Sequence, residues 1–462
     1  MVSRVARWLG LPTVLLVLAS QSLALSATAL QQGIPSLAPM LENVTPAVVS
    51  IRVSKTLPGA NTYQFRQQIP EELRRFFDFD LPDQPEGPGS GPRSIGSGSG
   101  VIVDAAQGYV ITNHHVVADA DEITVTLNDN RNFEATLVGS DPGTDVALLR
   151  IEAPDLTQLE FADSDTVRIG DFVVAIGNPF GIGQTVTAGI VSALGRSGLN
   201  NDNYEDYIQT DAAINLGNSG GALVDMEGRL VGINTAIISG NGGGSDGIGF
   251  AVPANMVASV MEHLERDGEV RRGMLGVQIS NLTPELAATL KMDMRAGALV
   301  TNVLPDSAAE AAGVEVYDVI TAIDGTPVES GRELRNIVGL LRQDQQVELS
   351  LVRNGRDMTL RATIGGANNG VAATGGRPAN ATDFGGARLA EVAGDGPGLE
   401  VTAVAPQSRA ASAGLRPGDV ILEVNRAAVN DLAGFNREVE AGQGLLALTV
   451  LRDERRMMII MP

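Results

Sequence analysis

Between Ala47 and Val252 the chain is a succession of short β-rich runs separated by Gly, Asn and Asp. Val48–Val53, Ile123–Leu127, Phe172–Ile176 and Leu230–Ile233 are examples among about twelve. No amphipathic helix lies between consecutive runs, which argues for antiparallel strands rather than βαβ units. Twelve strands over some 200 residues fit two six-stranded barrels better than one. At Ala254–Arg266 the period changes. Met256, Val257, Val260, Met261 and Leu264 recur at helical spacing up to Gly268, which predicts a connecting helix.

Beyond that helix the chain repeats itself. Pro305, Ser307, Ala312-Gly313 and Asp318-Val319-Ile320 recur as Pro406, Ser408, Ala413-Gly414 and Asp419-Val420-Ile421, at a constant offset of 101 residues. Two similar modules therefore follow one another, joined by a Gly/Ala/Asn-rich stretch with the composition of a flexible linker. The expected layout is an N-terminal segment (1–29), a β domain (30–268), a first module (269–364), a linker (365–382) and a second module (383–462). Residues 58–97, rich in Pro and Gly, form a long surface insert around Glu71–Phe77.

The first 29 residues read as an export signal. Arg4 and Arg7 precede an apolar run from Trp8 to Ala19, and Ala27-Thr28-Ala29 supplies a small-x-small cleavage pattern. The run is shorter than the ~20 residues of a bilayer span, so the mature chain is expected to lack an integral span. Of 462 residues, 33 are Lys or Arg and 55 Asp or Glu, a net charge of −22 without a basic cluster; nucleic acid is not an expected partner. The absence of cysteine removes thiol nucleophiles and cysteine metal sites, and three histidines are too few for most zinc constellations.

Gly217-Asn218-Ser219-Gly220-Gly221 is the strongest chemical signal. A nucleophilic serine needs a backbone open to an incoming carbonyl, with N–H groups aimed at the developing oxyanion, and glycines provide both. A glycine-rich turn capped by a serine would read the same way. The string also satisfies the nucleophile elbow of α/β-hydrolases, but that fold needs an acid and a histidine downstream. Only His263 follows, inside the predicted helix. A base must come from upstream, where His114 and His115 end the strand Tyr109–Thr112. Asp145 heads the apolar run Val146–Leu149 and suits an acid that orients a buried imidazole. Such a carboxylate needs hydrogen-bonding or cationic partners. Asp141, Asp163 and Asp165 lie in polar turns and read as solvated.

The order His115, Asp145, Ser219 is that of chymotrypsin-like double barrels. Together with Ser97-Gly98-Ser99-Gly100-Val101-Ile102, Thr112–Val117, Ala175–Gly181, Gln209–Asn215 and the tandem repeat, it resembles the HtrA (Deg) family of exported serine proteases, over essentially everything after residue 29. The resemblance implies a mainly β chain: a chymotrypsin-like protease domain of two six-stranded barrels, then two small α+β PDZ domains. It implies His115 as general base, Asp145 as its orienting partner and Ser219 as nucleophile, with His114 a spectator. The turn Gly217-Asn218-Ser219 would form the oxyanion hole through the N–H groups of Gly217 and Ser219. Ile214 and Ile237 would line a small apolar specificity slot, and Thr235-Ala236-Ile237 would pair with substrate backbone. Leu275-Gly276-Val277 would cradle a peptide carboxylate.

No cofactor or metal is implied. The implied partners are unfolded or misfolded polypeptides, their C-terminal peptides, and further copies of the chain in trimers and multiples of trimers. The implied location is the periplasm. Phe76, Phe77 and Phe79 are candidates for reaching a neighbouring cleft. Two departures from the pattern stand out: Leu216, where relatives often carry Arg or Pro, and Val316-Tyr317-Asp318, where the second module keeps Pro417-Gly418-Asp419. The second module's Gly386-Ala387-Arg388-Leu389 is a poorer carboxylate loop, suited to assembly. The competing reading is a tandem-PDZ chaperone or binding protein with a vestigial triad; the intact set of three residues argues against it.

Overall fold

The computed structural model describes residues 36–56, 93–178, 183–199, 204–215, 217–237, 246–294, 296–366, 382–392, 397–442 and 444–461. The expected signal segment and residues 58–92 of the insert, with Phe76, Phe77 and Phe79, lie outside the described residues; residues 93–97, expected as the end of the insert, instead begin a strand that pairs with Arg52–Thr56.

Six strands close the first barrel: β1 (Val48–Thr56), β2 (Arg93–Asp104), β3 (Tyr109–Thr112), β4 (Glu122–Thr126), β5 (Asn132–Asp141) and β6 (Val146–Ile151), in the order β1-β2-β3-β6-β5-β4. Six more close the second: β7 (Phe172–Gly177), β8 (Thr185–Arg196), β9 (Tyr207–Thr210), β10 (Ala222–Val224), β11 (Leu230–Ile237) and β12 (Gly249–Pro253), in the order β10-β11-β12-β9-β8-β7. All neighbouring strands are antiparallel, as the absence of crossover helices predicts.

Where a strand is buried on both faces its sequence is continuously apolar. In β6, Ala147, Leu149 and Ile151 fill the first barrel, while Val146 and Leu148 face the other way into the seam between barrels. In β7, Val173 and Ala175 fill the second barrel, and Val174 and Ile176 meet the seam from the opposite side. Strand β4 has one wet face and alternates instead, with Ile123 and Val125 buried. Each fully buried aliphatic side chain contributes about 1.5–3 kcal/mol, and the seam fixes how the two barrels sit against each other.

The helix Ala254–Asp267 lays Met256, Val257, Val260 and Leu264 on this seam and ends at Gly268, whose amide closes onto the Leu264 carbonyl. His263 is buried on it and donates from Nε2 to the carbonyl of Leu340 at 3.0 Å, a structural bond into the first repeat.

Each repeat forms its own small mixed module with its own apolar core. The repeated aspartates are the pins. Asp318 is fully buried and takes two 2.7 Å hydrogen bonds from Arg353, which also donates to the Gly313 carbonyl. Asp419 and Arg452 repeat the arrangement, with Arg452 donating to the Gly414 carbonyl. A buried carboxylate persists because its charge is matched and both of its oxygens accept hydrogen bonds. Gly365 and Gly366, read as the start of the linker, instead pair with Met274 and Gly273 as a short strand.

Candidate active site

Asp145 closes the turn 142–145 and has left-handed backbone, φ 58°. That conformation is tolerated by Asp better than by most residues, and it turns the carboxylate toward His115. The His115 backbone N–H donates to Asp145 Oδ1 at 3.0 Å, and Nδ1 lies 2.7 Å from Oδ2. Thr235 Oγ1 donates to the same Oδ2. The Asp145 carbonyl is held in turn by the His114 N–H and by Asn113 Nδ2. Burial alone would raise the Asp145 pKa, but the adjacent His115 and the hydrogen bonds from His115 and Thr235 outweigh it and hold it below the usual carboxylate range. These are the partners that a carboxylate entering a core requires.

Thr235 was expected to meet substrate; its side chain serves the acid. Only spatial proximity reveals this, because Thr235 and Asp145 are 90 positions apart. His114 points away, its Nδ1 3.0 Å from Ser140 Oγ, and desolvation lowers its pKa. Asp141 is a correction to the expectation of a solvated turn. It is 8% exposed, accepts from both the N–H and the hydroxyl of Thr144, and pairs with Arg272. Arg272 also lies over the Tyr204 ring at 3.9 Å, with Arg335 of the first repeat at 4.7 Å from the same ring.

Ser219 begins the descent into β10 and is 6% exposed. Gly217 has φ 100° and Gly220 φ 81°, both left-handed values that suit glycine. A side chain at Gly220 would also collide with the Ser99 carbonyl and Thr112 Oγ1, so the turn lies hard against β2 and β3. The amides of Asn218, Gly220 and Gly221 donate to the carbonyls of Asn215, Asn234 and Asn218. Those of Gly217 and Ser219 have no acceptor among the described residues. Asn218 therefore has no amide to offer an oxyanion.

Ile214 is fully buried inside the second barrel, packed against Gly249. The side chains of Ala236 and Ile237 and the whole of Leu216 lie outside the described residues. Their strand pairs with β12 through Ala236–Phe250 and Ile237–Gly249. Pairing with β10 stops at Ile233, so the other edge of residues 235–237 has no strand partner among the described residues.

In the first repeat, β13 (Val277–Asn281) pairs on one side with β14 (Ala298–Val303), and its other edge faces the helix Gly331–Leu340. Leu275, Val277, Ile279, Leu334 and Val338 share one apolar cluster there. The second repeat has the same loop bonds, with Ala405 and Ala410 amides on the Gly386 and Gly385 carbonyls where Leu304 and Ala309 bond Gly276 and Leu275. Its groove strand β16 (Ala387–Glu391), however, is already paired on that edge by β15 (Thr382–Phe384). Phe384 stands edge-on to Phe435 of the facing helix, centroids 4.9 Å apart.

Comparison with known proteins agrees with this architecture. Residues 98–233 match the trypsin-like peptidase domain family, and residues 273–364 and 400–452 match PDZ domain families. The periplasmic pH-dependent serine endoprotease DegQ of Escherichia coli (strain K12) is 45% identical over 434 residues, covering 93% of this chain and 92% of DegQ. The chain belongs to the HtrA-type family of serine endoproteases. Periplasmic serine endoprotease DegP of the same organism is 43% identical over 456 residues, 94% of each chain. A solved structure of the HtrA-type protease AlgW with a tripeptide matches at 42% identity and TM-score 0.55, covering 73% of this chain and 99% of that one. The protein is accordingly an enzyme, a serine endopeptidase with two PDZ domains, rather than a PDZ binding protein. Its relatives are periplasmic, and no helix among its described residues is long and apolar enough to cross a membrane.

Proposed function

We propose that the protein is exported through residues 1–29 and cleaves unfolded or misfolded polypeptides in the periplasm without a cofactor. Ser219 attacks the peptide carbonyl, His115 takes its proton and later returns it to the leaving amine, and Asp145 holds the imidazole tautomer and stabilises the imidazolium. The amides of Gly217 and Ser219 bind the oxyanion. An acyl-enzyme forms on Ser219 and water hydrolyses it.

The observation that carries this reading is the contact of His115 Nδ1 with Asp145 at 2.7 Å. It leaves Nε2 as the basic nitrogen. The open edge of Thr235–Ile237 supports binding of extended substrate by strand addition, which accepts diverse sequences but excludes compact folds. Ile214 and Ile237 would line a shallow apolar slot that favours Val, Ile or Ala before the cut. The free edge beside Leu275-Gly276-Val277 supports capture of a polypeptide C-terminus by the first PDZ domain.

Exposed Ile169, Phe172 and Met226, at 66%, 66% and 41%, support burial of that face in a homotrimer. Trimers then join through PDZ contacts into larger assemblies, and holding substrates without cutting them is a secondary activity.

Unfolded casein tests the reading. Wild type should degrade it, and Ser219→Ala should lose about 10³-fold or more in rate. Full activity of the variant would refute the nucleophile.

A further inference from the structure

The run Ser97–Gly100 on β2 abuts the nucleophile's turn. Ser99 is 0% exposed. Its N–H donates to the Ser219 carbonyl at 2.9 Å, and its hydroxyl donates to the Gly217 carbonyl. The same oxygen accepts the Asn178 N–H at 2.8 Å, and the Ser99 carbonyl accepts Thr112 Oγ1 at 2.7 Å. Thr112 ends the strand that delivers His115. One buried residue thus ties together the second barrel's β7, the Ser219 turn and the strand leading to the base.

The pattern of peptide planes is specific. Ser99 draws inward the carbonyls of the 217–218 and 219–220 planes. The planes before each of these carry the N–H groups of Gly217 and Ser219, the two amides of the turn without an internal acceptor. A glycine flanked by unanchored planes rotates readily, and rotation at Gly217 would carry an amide out of place. A serine hydroxyl has one donor and two acceptor sites, so it fills both of its roles at once. An alanine would leave the Gly217 carbonyl and the Asn178 N–H unpaired in a dry seam.

We propose that Ser99 is a positioning residue for catalysis, its hydroxyl holding the Gly217–Ser219 turn in the form that presents both oxyanion donors. This rests on the oxyanion reading above. The role requires no contact between Ser99 and substrate, so its removal acts on the transition state and leaves ground-state binding alone.

The test uses the full chain with Ser99→Ala, the near-isosteric Ser99→Cys and Ser219→Ala. It measures kcat and KM on an internally quenched peptide, the affinity of a matching peptide boronic acid, and the pH–rate profile. For Ser99→Ala the expectation is a 10- to 100-fold fall in kcat, set below the loss for deleting an oxyanion donor outright. KM should stay within about twofold, boronate affinity should fall by the same factor as kcat/KM, and the profile midpoints should not move. Ser99→Cys, a weaker donor, should fall in the same direction by a smaller factor, and it decides the matter if Ser99→Ala does not fold.

Unchanged kcat, a loss confined to KM, or boronate affinity that stays at the wild-type value would overturn the proposal. A shifted acid limb would assign the effect to His115 instead. If Ser219→Ala keeps its activity, the nucleophile reading itself fails, whatever the Ser99 variants do.

Discussion

The Tyr317 hydroxyl of the first PDZ domain meets Thr449 Oγ1 of the second, and Arg426 lies over the same ring at 5.1 Å. Tyr317 has φ 77° where its repeat counterpart Gly418 has φ 93°, so a bulky residue occupies a backbone position that suits glycine. A non-glycine residue held there costs on the order of 1–2 kcal/mol. The surrounding interface offsets this: Leu286, Leu290, Leu299 and Val319 from the first domain pack with Ala447 and Met458 from the second. Tyr317→Gly should relieve the strain within the first domain and loosen it from the second. Calorimetry should then show two PDZ transitions where wild type shows one. A single undivided transition would remove Tyr317 as the latch.

Asp318→Ala should cost about 1–3 kcal/mol in the first PDZ domain, because it takes away the buried acceptor of two Arg353 hydrogen bonds while Arg353 keeps its pair with Glu315. Asp419→Ala should do the same in the second through Arg452. Chemical denaturation of each variant measures this, and turnover of a short peptide should survive both, since neither residue touches the protease domain. A loss below about 1 kcal/mol would mean that these pins are dispensable.

Asp206 is half-buried next to the segment, Tyr204 and Glu205, that meets the first PDZ domain, where Asn336 Nδ2 donates to the Glu205 carbonyl at 2.9 Å. Desolvation, then the charges of Glu333 and Asp165, raise its pKa to about 6 against the opposing pull of Arg332. A carboxyl raised on folding contributes fully below its unfolded pKa of 3.8, and that contribution is lost as pH rises through about 6. Thermal stability should therefore decline between pH 5 and 7.5 by an amount on the order of 1 kcal/mol that Asp206→Asn abolishes. Equal slopes in both proteins would dismiss the effect.

The second PDZ groove should not take up C-terminal peptides, because Thr382–Phe384 already occupies its strand edge. Fluorescence titration of a labelled apolar C-terminal peptide should give one site per chain, abolished by Gly276→Trp in the first domain and unaffected by Gly386→Trp in the second. Two sites, or loss of binding on Gly386→Trp alone, would reverse the assignment.

Much of this was legible in the sequence for a physical reason. Strands buried on both faces, such as Val146–Ile151, announce themselves as unbroken apolar runs, and the connecting helix does so through its period and Gly268. His115, Asp145 and Ser219 stood out because glycines, an apolar flank and chain order each constrain chemistry locally. What the sequence hid depends on long-range pairing. Asp141 looked like a solvated turn residue because its partner Arg272 lies 131 positions away. Thr235 gave no sign that its hydroxyl reaches Asp145. Gly365 and Gly366 have a linker's composition and became strand only because Gly273 and Met274 offered an edge.

The most direct measurement of the central claim is mass-spectrometric mapping of a peptidyl fluorophosphonate adduct on the active protein, with His115→Ala and Asp145→Asn alongside. Wild type should give a single adduct, on Ser219. Labelling should slow by about 10³-fold or more without the base, and by about 10⁴-fold with asparagine at 145. An adduct on another residue, or Ser219 labelled at the wild-type rate in either variant, would contradict the claim.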